Sequence, residues 1–219
     1  MKIRTFTKRL NATELGKGGT NDTYVAIPNE ADLSTMFINN VAMTIEDRKN
    51  GQVYAPPEFN IKYIQTGQNN QDRISGLGKY FRNNLANVGD EIIFERQEDK
   101  TGNVQYYINL EHRDVIVLQK GKIYAEIIRT GALPQYAIDR NYRIEVFYKG
   151  KRCVLDVVFM ETSKKKKNSP MSTDFYDLVI NGISILSDFT YQDYIEVNIK
   201  NKQLDRMLTY MEHIMEWRD

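Results

Sequence analysis

Glu91-Ile92-Ile93-Phe94, Asp99-Lys100-Thr101-Gly102-Asn103 and Val104-Gln105-Tyr106-Tyr107-Ile108 follow one another closely and point to a β architecture. Two runs rich in β-branched and aromatic residues flank a cluster of turn formers, which reads as strand, hairpin connection, strand. The same signature recurs on either side. Tyr24-Val25-Ala26-Ile27 and Asn60-Ile61-Lys62-Tyr63-Ile64 are short β-type runs bounded by Gly, Pro, Asn and Asp. Downstream, Tyr142 to Tyr148 alternates polar and apolar side chains, Lys149-Gly150-Lys151-Arg152 turns the chain, and Cys153 to Met160 returns. Phe175 to Ile185 and Tyr191 to Ile199 continue the pattern. Two short helices are expected to interrupt it. One is Ala31 to Phe37, after a Pro-Asn entry. The other is Leu77 to Leu85, where Leu77, Phe81 and Leu85 share a face at i, i+4, i+8. The expected fold class is mainly β with short helices (α+β).

The 219 residues are long for one compact domain and comfortable for two small ones, given ~100–200 residues per domain. Residues 1–122 read as a barrel-like β domain with a helix at each of two corners. Residues 123–200 read as a smaller β-rich domain. Residues 201–219 read as a C-terminal helix or connector, because Leu204, Met207, Leu208, Met211, Ile214 and Met215 recur at helical spacing. Such a helix either packs on its own domain or leads to a further one. Ser163 to Thr173, with the lysine run 164–167, reads as an exposed loop that could also touch phosphates nonspecifically.

Composition narrows the chemistry. One cysteine, Cys153, leaves no intramolecular disulfide framework and no multi-cysteine zinc site, and it lies in an apolar strand pattern as a buried thiol would. His112 and His213 are too far apart in sequence for a His-rich metal motif. No apolar run approaches the ~20 residues of a membrane span, and Met1-Lys2-Ile3-Arg4 leads into no signal-like stretch, so a cytoplasmic protein without membrane partners is expected. Thirty Lys and Arg against 29 Asp and Glu give a net charge of +1, yet the charge is unevenly distributed. Lys2, Arg4, Lys8, Arg9 and Lys17 face only Glu14 within residues 1–20, and Lys62, Arg73, Lys79 and Arg82 face only Asp72 within residues 62–82. These segments are either solvated faces or, if the fold brings them together, a positive groove.

Gly16-Lys17-Gly18-Gly19-Thr20 superficially resembles a nucleotide loop but lacks the Gly-x4-Gly-Lys-Ser/Thr spacing, so no nucleotide hydrolysis and no cofactor are expected of this chain. Asp90, Glu98 and Lys100 have the residue types of a metal-dependent nuclease, although Glu98 to Asn103 also has the composition of a hairpin tip. Two segments suit binding better. In Gly16 to Tyr24, glycines allow close backbone approach to a groove or phosphate and Lys17 adds a charge. In Gln65 to Lys79, Gln65, Gln68, Asn69, Asn70 and Gln71 are amides of the type that pair with adenine, and Arg73 is the type that pairs with guanine. The second segment is equally readable as a polar surface excursion.

Lys8 to Ala12 through Gly18 to Val25 resembles the start of the amino-terminal effector domain of EcoRII-type restriction endonucleases. Leu77-Gly78-Lys79-Tyr80-Phe81-Arg82 followed by Val88-Gly89-Asp90-Glu91-Ile92-Ile93-Phe94 resembles the signature of plant B-three-type transcription factors. The resemblance covers roughly residues 1–120 and implies a seven-stranded DNA-binding pseudobarrel. It implies an N-arm, Lys17, Gly18, Gly19, Thr20, Asn21, Asp22, Thr23 and Tyr24, and a C-arm from Gln65 to Lys79, both entering the major groove of duplex DNA. On that alignment Asn69, Asn70, Gln71 and Arg73 reach base edges, with Gln68, Asp72 and Ser75 beside them. Lys17, Asn21, Asp22 and Thr23 read bases or position the N-arm, and Lys62, Lys79 and Arg82 contact phosphates. The plant proteins usually carry a tryptophan near Tyr80, and EcoRII-type arms carry other base-reading residues, so fold and docking mode transfer better than a recognition sequence. No cleavage residue transfers. The order of domains is similar to the amino-terminal region of the McrB-like subunit of LlaJI-type restriction systems. That similarity implies an AAA+ GTPase domain and a separate nuclease subunit as partners. The expected function is sequence-specific duplex DNA binding by a non-enzymatic targeting module; a small nuclease and a protein-interaction module using residues 123–200 are the alternatives.

Overall fold

A computed structural model describes residues 1–17, 23–66, 71–164, 172–207 and 210–216. The chain is mainly β with short helices, and it divides into two compact units. Unit 1 comprises Met1–His112 together with Leu208–Asp219; unit 2 is Arg113–Met207.

Unit 1 opens with β1 (Lys2–Arg9), β2 (Tyr24–Ala26), β3 (Ile45–Asp47), β4 (Val53–Tyr54), β5 (Lys62–Ile64) and β6 (Arg73–Ser75). Helix α1 (Gly78–Asn83), β7 (Glu91–Glu98) and β8 (Val104–Glu111) follow. Unit 2 contributes β9 (Val115–Lys120), β10 (Ala125–Arg129), β11 (Ala137–Ile138), β12 (Asn141–Tyr148), β13 (Lys151–Ser163), β14 (Thr173–Ile180), β15 (Ile183–Ser184), β16 (Tyr194–Asn198) and β17 (Leu204–Arg206). The chain then returns to unit 1 as β18 (Tyr210–Glu216).

Among the described residues unit 1 has a six-stranded sheet, ordered β18-β1-β7-β8-β3-β4, and a three-stranded sheet, ordered β2-β6-β5. The resemblance implied seven strands; the count here includes the two-residue β4 and the returning β18. Phe6, Phe94 and Ile108 from the large sheet and Val25, Ile74 and Tyr63 from the small one are buried in a common apolar core. That core also takes Leu77, Tyr80 and Phe81 from the start of α1. In unit 2 the strands form one sheet, with Ile144, Val146, Leu155, Val157 and Leu178 in its core. The expected Tyr142 to Met160 hairpin is there, closed by Lys149 and Gly150, both at positive φ as a two-residue turn between twisted strands requires.

Three expectations change. The Ala31–Phe37 stretch is not a helix. Ala31 N–H donates to Pro28, Met36 and Phe37 N–H both donate to Leu33, and Asp32 Oδ1 takes the Ser34 N–H, an Asx turn that competes with helix propagation. Leu33, Met36 and Phe37 are nevertheless in the core. Helix α1 stops before Leu85, which sits at φ 52° and is exposed, so only Leu77 and Phe81 of the expected stripe are buried.

The C-terminal helix over 201–219 is also absent. Leu204 and Met207 are buried in unit 2, whereas Met211, Ile214 and Met215 lie on β18, which pairs antiparallel with β1 along its length, from Lys2↔Glu216 to Lys8↔Tyr210. An apolar set at i, i+3, i+4 and i+7 fits a helix locally, but a partner strand two hundred residues earlier in sequence supplies the backbone hydrogen bonds instead. The division between units accordingly falls after His112 rather than at 122, and unit 2 is an insertion before the last strand of unit 1.

The β7–β8 hairpin supplies a titration that can be checked. Asp99 accepts hydrogen bonds from the Thr101 hydroxyl at 2.7 Å, from Asn103 Nδ2 at 2.9 Å, and from the N–H groups of Thr101 and Asn103. These donors, the Thr101 hydroxyl foremost, hold its carboxyl well below the ordinary carboxylate range. The hairpin stability it supplies is present above the unfolded carboxylate pKa and lost as pH falls through the lowered folded value. The Asp99 carboxyl carbon is expected to titrate by NMR below the exposed carboxylates of the same chain. A midpoint at the ordinary value would show that the turn does not hold these bonds.

Candidate nucleic-acid interface

The two polar segments leave and rejoin adjacent strands of the small sheet. Tyr24 of β2 lies opposite Ser75 of β6, which lies opposite Lys62 of β5; the next outward row is Ala26, Arg73 and Ile64. Between these rows Val25, Ile74 and Tyr63 point into the core, so period-2 alternation sets the intervening side chains on the outer face. Tyr24, Lys62, Arg73 and Ser75, from three separate strands, therefore share one surface.

Thr23 brings the segment ends together. A side-chain carbon on Gly78 would lie 2.5 Å from Thr23 Oγ1 and 3.3 Å from an Arg82 guanidinium nitrogen, so the end of the N-arm packs on the start of α1 beside Arg82. Arg73 Cζ lies 5.8 Å from the centre of the Tyr24 ring, and its buried Nε has no hydrogen-bond partner among the described residues.

The root of the N-arm is held by a residue that charge counting treats only as an offset to lysines. Glu14 is buried. Its Oε1 accepts the Ala26 N–H at 2.9 Å and its Oε2 accepts the Asn11 N–H at 2.9 Å. Its carbonyl accepts the Tyr24 N–H, and Lys8 Nζ lies 3.1 Å from Oε1. One side chain thus ties β1, the turn at residues 11–16 and β2. Burial pushes its carboxyl up, opposed by Lys8 and by the two backbone donors. The sequence offers a weak signal for part of this: Asn11 and Glu14 three apart, each side chain bonding the other's N–H, form a local reciprocal box.

The C-arm root is held by Asp72, whose carboxylate accepts the Tyr63 hydroxyl at 2.6 Å and the Thr66 N–H at 2.8 Å. Its carbonyl accepts the Ile27 N–H, which links the arm root to the residue after β2. Burial and this carboxylate raise the Tyr63 phenol above its ordinary range. The structure therefore places Asp72 as a clamp of the loop.

Lys79, expected at a phosphate, and Lys17, expected in the N-arm, also have protein partners. Lys79 pairs with Glu58 and lies 4.7 Å from the Phe59 ring centre, and Lys17 Nζ donates to Asn87 Oδ1 at 3.3 Å. Gln71 is exposed. Gly18, Gly19, Thr20, Asn21 and Asp22 of the N-arm, and Gln68, Asn69 and Asn70 of the C-arm, lie outside the described residues, as do Lys165–Lys167.

The nuclease arrangement is not assembled. Asp90 precedes β7 and Glu98 ends it, so eight residues of extended chain, roughly 25 Å, separate them. Asp90 is fully buried, where Oδ2 accepts the Asn87 N–H and lies 2.9 Å from His112 Nδ1. Glu98 is paired with Arg96 at 2.6 Å, which draws its carboxyl below the ordinary range. Asp90 therefore organises the Val88-Gly89-Asp90 turn, and no group of three or more His, Cys, Asp or Glu side chains among the described residues is placed to hold a metal ion. Nor is any helix among those residues long and apolar enough to cross a membrane. Comparison of the chain with protein-family models and with curated proteins finds no match.

Proposed function

We propose that unit 1 is a sequence-reading, duplex-DNA-binding module. The observation that carries this reading is the shared outer face of the small sheet, where Tyr24, Lys62, Arg73 and Ser75 stand between the roots of both polar segments. A partly cationic face at the roots of two polar segments suits a groove edge: backbone charges are met by lysine and arginine, and amide-rich segments can reach base edges. Arg73 is its central reader, because its side chain stands at the C-arm root on this outer face, near the Tyr24 ring. On the resemblance to EcoRII-type and B-three-type domains, the module binds and does not cut. It is the targeting region of a McrB-like restriction subunit that acts in the cytoplasm with an AAA+ GTPase domain and a separate nuclease subunit.

Selection of bound sequences from a randomised duplex pool, methylated and unmethylated, at near-physiological salt tests the reading. A short enriched motif is expected. Arg73→Ala should then lose ~1–3 kcal/mol of discrimination at one base position, while Lys62→Ala should weaken all sequences alike and flatten the salt dependence. Binding that vanishes with salt and enriches no sequence would sink base reading by these arms.

A further inference from the structure

The last strand of unit 1 leaves one side open. β18 ends the six-stranded sheet: it pairs with β1 along its length, and no strand among the described residues pairs with its other side. From Tyr210 to Glu216 it contains no proline or lysine, the residues that commonly keep a free edge from pairing. Met211, Ile214 and Met215 are exposed on it, Ile214 at 63%. Unpaired backbone groups beside exposed apolar side chains are a template for another strand. The opposite edge of the sheet, β4, has only two residues and is a poor template.

The order of side chains on β18 fits a second copy of itself. Two copies related by a twofold axis normal to the sheet run antiparallel, with facing residues on the same face. An axis through His213 pairs all seven residues of the strand. Tyr210 then faces Glu216 of the second copy, Met211 faces Met215, Glu212 faces Ile214, and His213 faces its own equivalent. No carboxylate faces a carboxylate. Moving the axis one residue either way shortens the pairing and sets Glu212 against Glu212 or against Glu216, a destabilising like-charge pair. In the single copy Glu212 stands beside Phe6 of β1, and burial and the Asp32 carboxylate push its carboxyl up. The His213 register carries it toward the row of Ile214, Arg4 and Arg96 in the second copy, on the cationic side of that sheet. On the outer face, Ile3 and Met215 continue into Met211 of the second copy, so exposed apolar side chains cover one another.

We propose that β18 pairs with β18 of a second copy of this chain, antiparallel and centred on His213, joining two six-stranded sheets into one. Main-chain hydrogen bonds supply the attraction, the methionines and Ile214 add apolar contact, and the two glutamates fix the register. A seven-residue strand pair is a small interface, so the association is reversible and in the micromolar range. The pairing lies within unit 1 and does not rest on the DNA-binding reading.

Sedimentation equilibrium of the whole chain, without DNA, from about 1 to 200 μM is the first test. The mass is expected to rise with concentration from one chain toward two. Register is then read by disulfide trapping with Cys153→Ser as background. Facing residues of an antiparallel pair lie about 4.5–5.5 Å apart at Cα, the span of a disulfide. His213→Cys, on the exposed outer face, should therefore form a covalent dimer on mild oxidation. Met211→Cys alone should not, because its own equivalent is more than about 13 Å away along the strand, whereas Met211→Cys with Met215→Cys should. Ile214→Glu, which sets a carboxylate against Glu212, should weaken association at least about tenfold, and mixing it with Glu212→Lys should restore a mixed dimer. A one-chain mass at every concentration would overturn the pairing. So would trapping of Met211→Cys as readily as His213→Cys, or undiminished association of Ile214→Glu. A dimer trapped at His213 in a chain that selects no DNA sequence would remove the DNA reading and leave the pairing.

Discussion

Glu14→Ala is expected to destabilise unit 1 by about 3–5 kcal/mol, measured by denaturant unfolding of the full chain. The substitution strands two backbone donors, Asn11 and Ala26 N–H, and leaves Lys8 buried without its counter-charge. Each stranded donor costs roughly 1–3 kcal/mol, and a buried ammonium without a partner adds to that. Glu14→Gln should cost far less. Its amide oxygen still accepts one of the two N–H groups, and burial outweighs Lys8 in setting the carboxyl, which sits above its ordinary range.

The sign of the pH dependence follows from that shift. A carboxyl whose folded pKa is raised contributes stability that is full below its unfolded pKa and is lost as pH rises through the folded value. The Gln variant lacks this titration, so the wild-type margin over it should narrow as pH rises from about 4.5. A loss below 1 kcal/mol in Glu14→Ala would show that the N-arm root is not held by this side chain.

Gly76→Ala is the second large effect, expected at about 3 kcal/mol or more. Gly76 links β6 to the turn before α1 at φ 82°, and an added side-chain carbon would lie 2.1 Å from the Asn60 carbonyl oxygen and 2.6 Å from its carbon. The obstruction is backbone, so no rotamer change relieves it. Gly102, at φ 86° in the β7–β8 hairpin, has nothing within 4 Å of the same position. Gly102→Ala therefore isolates the conformational penalty, ~1–2 kcal/mol, and the difference between the two variants measures the close approach to Asn60. Equal losses at both positions would show that the Asn60 contact relaxes freely.

Gly76 also bears on the proposed interface. It follows Ser75 on β6 and precedes the Leu77-Gly78 entry to α1, where Thr23 and Arg82 meet. Moving this backbone would shift the C-arm end relative to the N-arm end. Loss of sequence selection in Gly76→Ala should therefore accompany its loss of stability, whereas Arg73→Ala should lose selection with the fold intact.

The features legible from the chain alone are local. The β7–β8 hairpin was legible because Glu91 to Phe94, Asp99 to Asn103 and Val104 to Ile108 each favour their conformation within a few residues. The Tyr142 to Met160 hairpin was legible for the same reason, and so was the overall β class. The Asx turn at Asp32 was a missed local signal: its hydrogen bond to Ser34 competes with the helix that the apolar spacing suggested. The remaining features depend on partners distant in sequence. Met211, Ile214 and Met215 form a strand because β1 offers a free edge some two hundred residues away, and spacing alone cannot encode that partner. Glu14 is a clamp and Asp90 a buried turn organiser because of neighbours in space: β2 and His112. The charge of each of these side chains is written in the sequence. Burial and partners set what that charge costs and what it can hold, and both exist only once the sheets have formed.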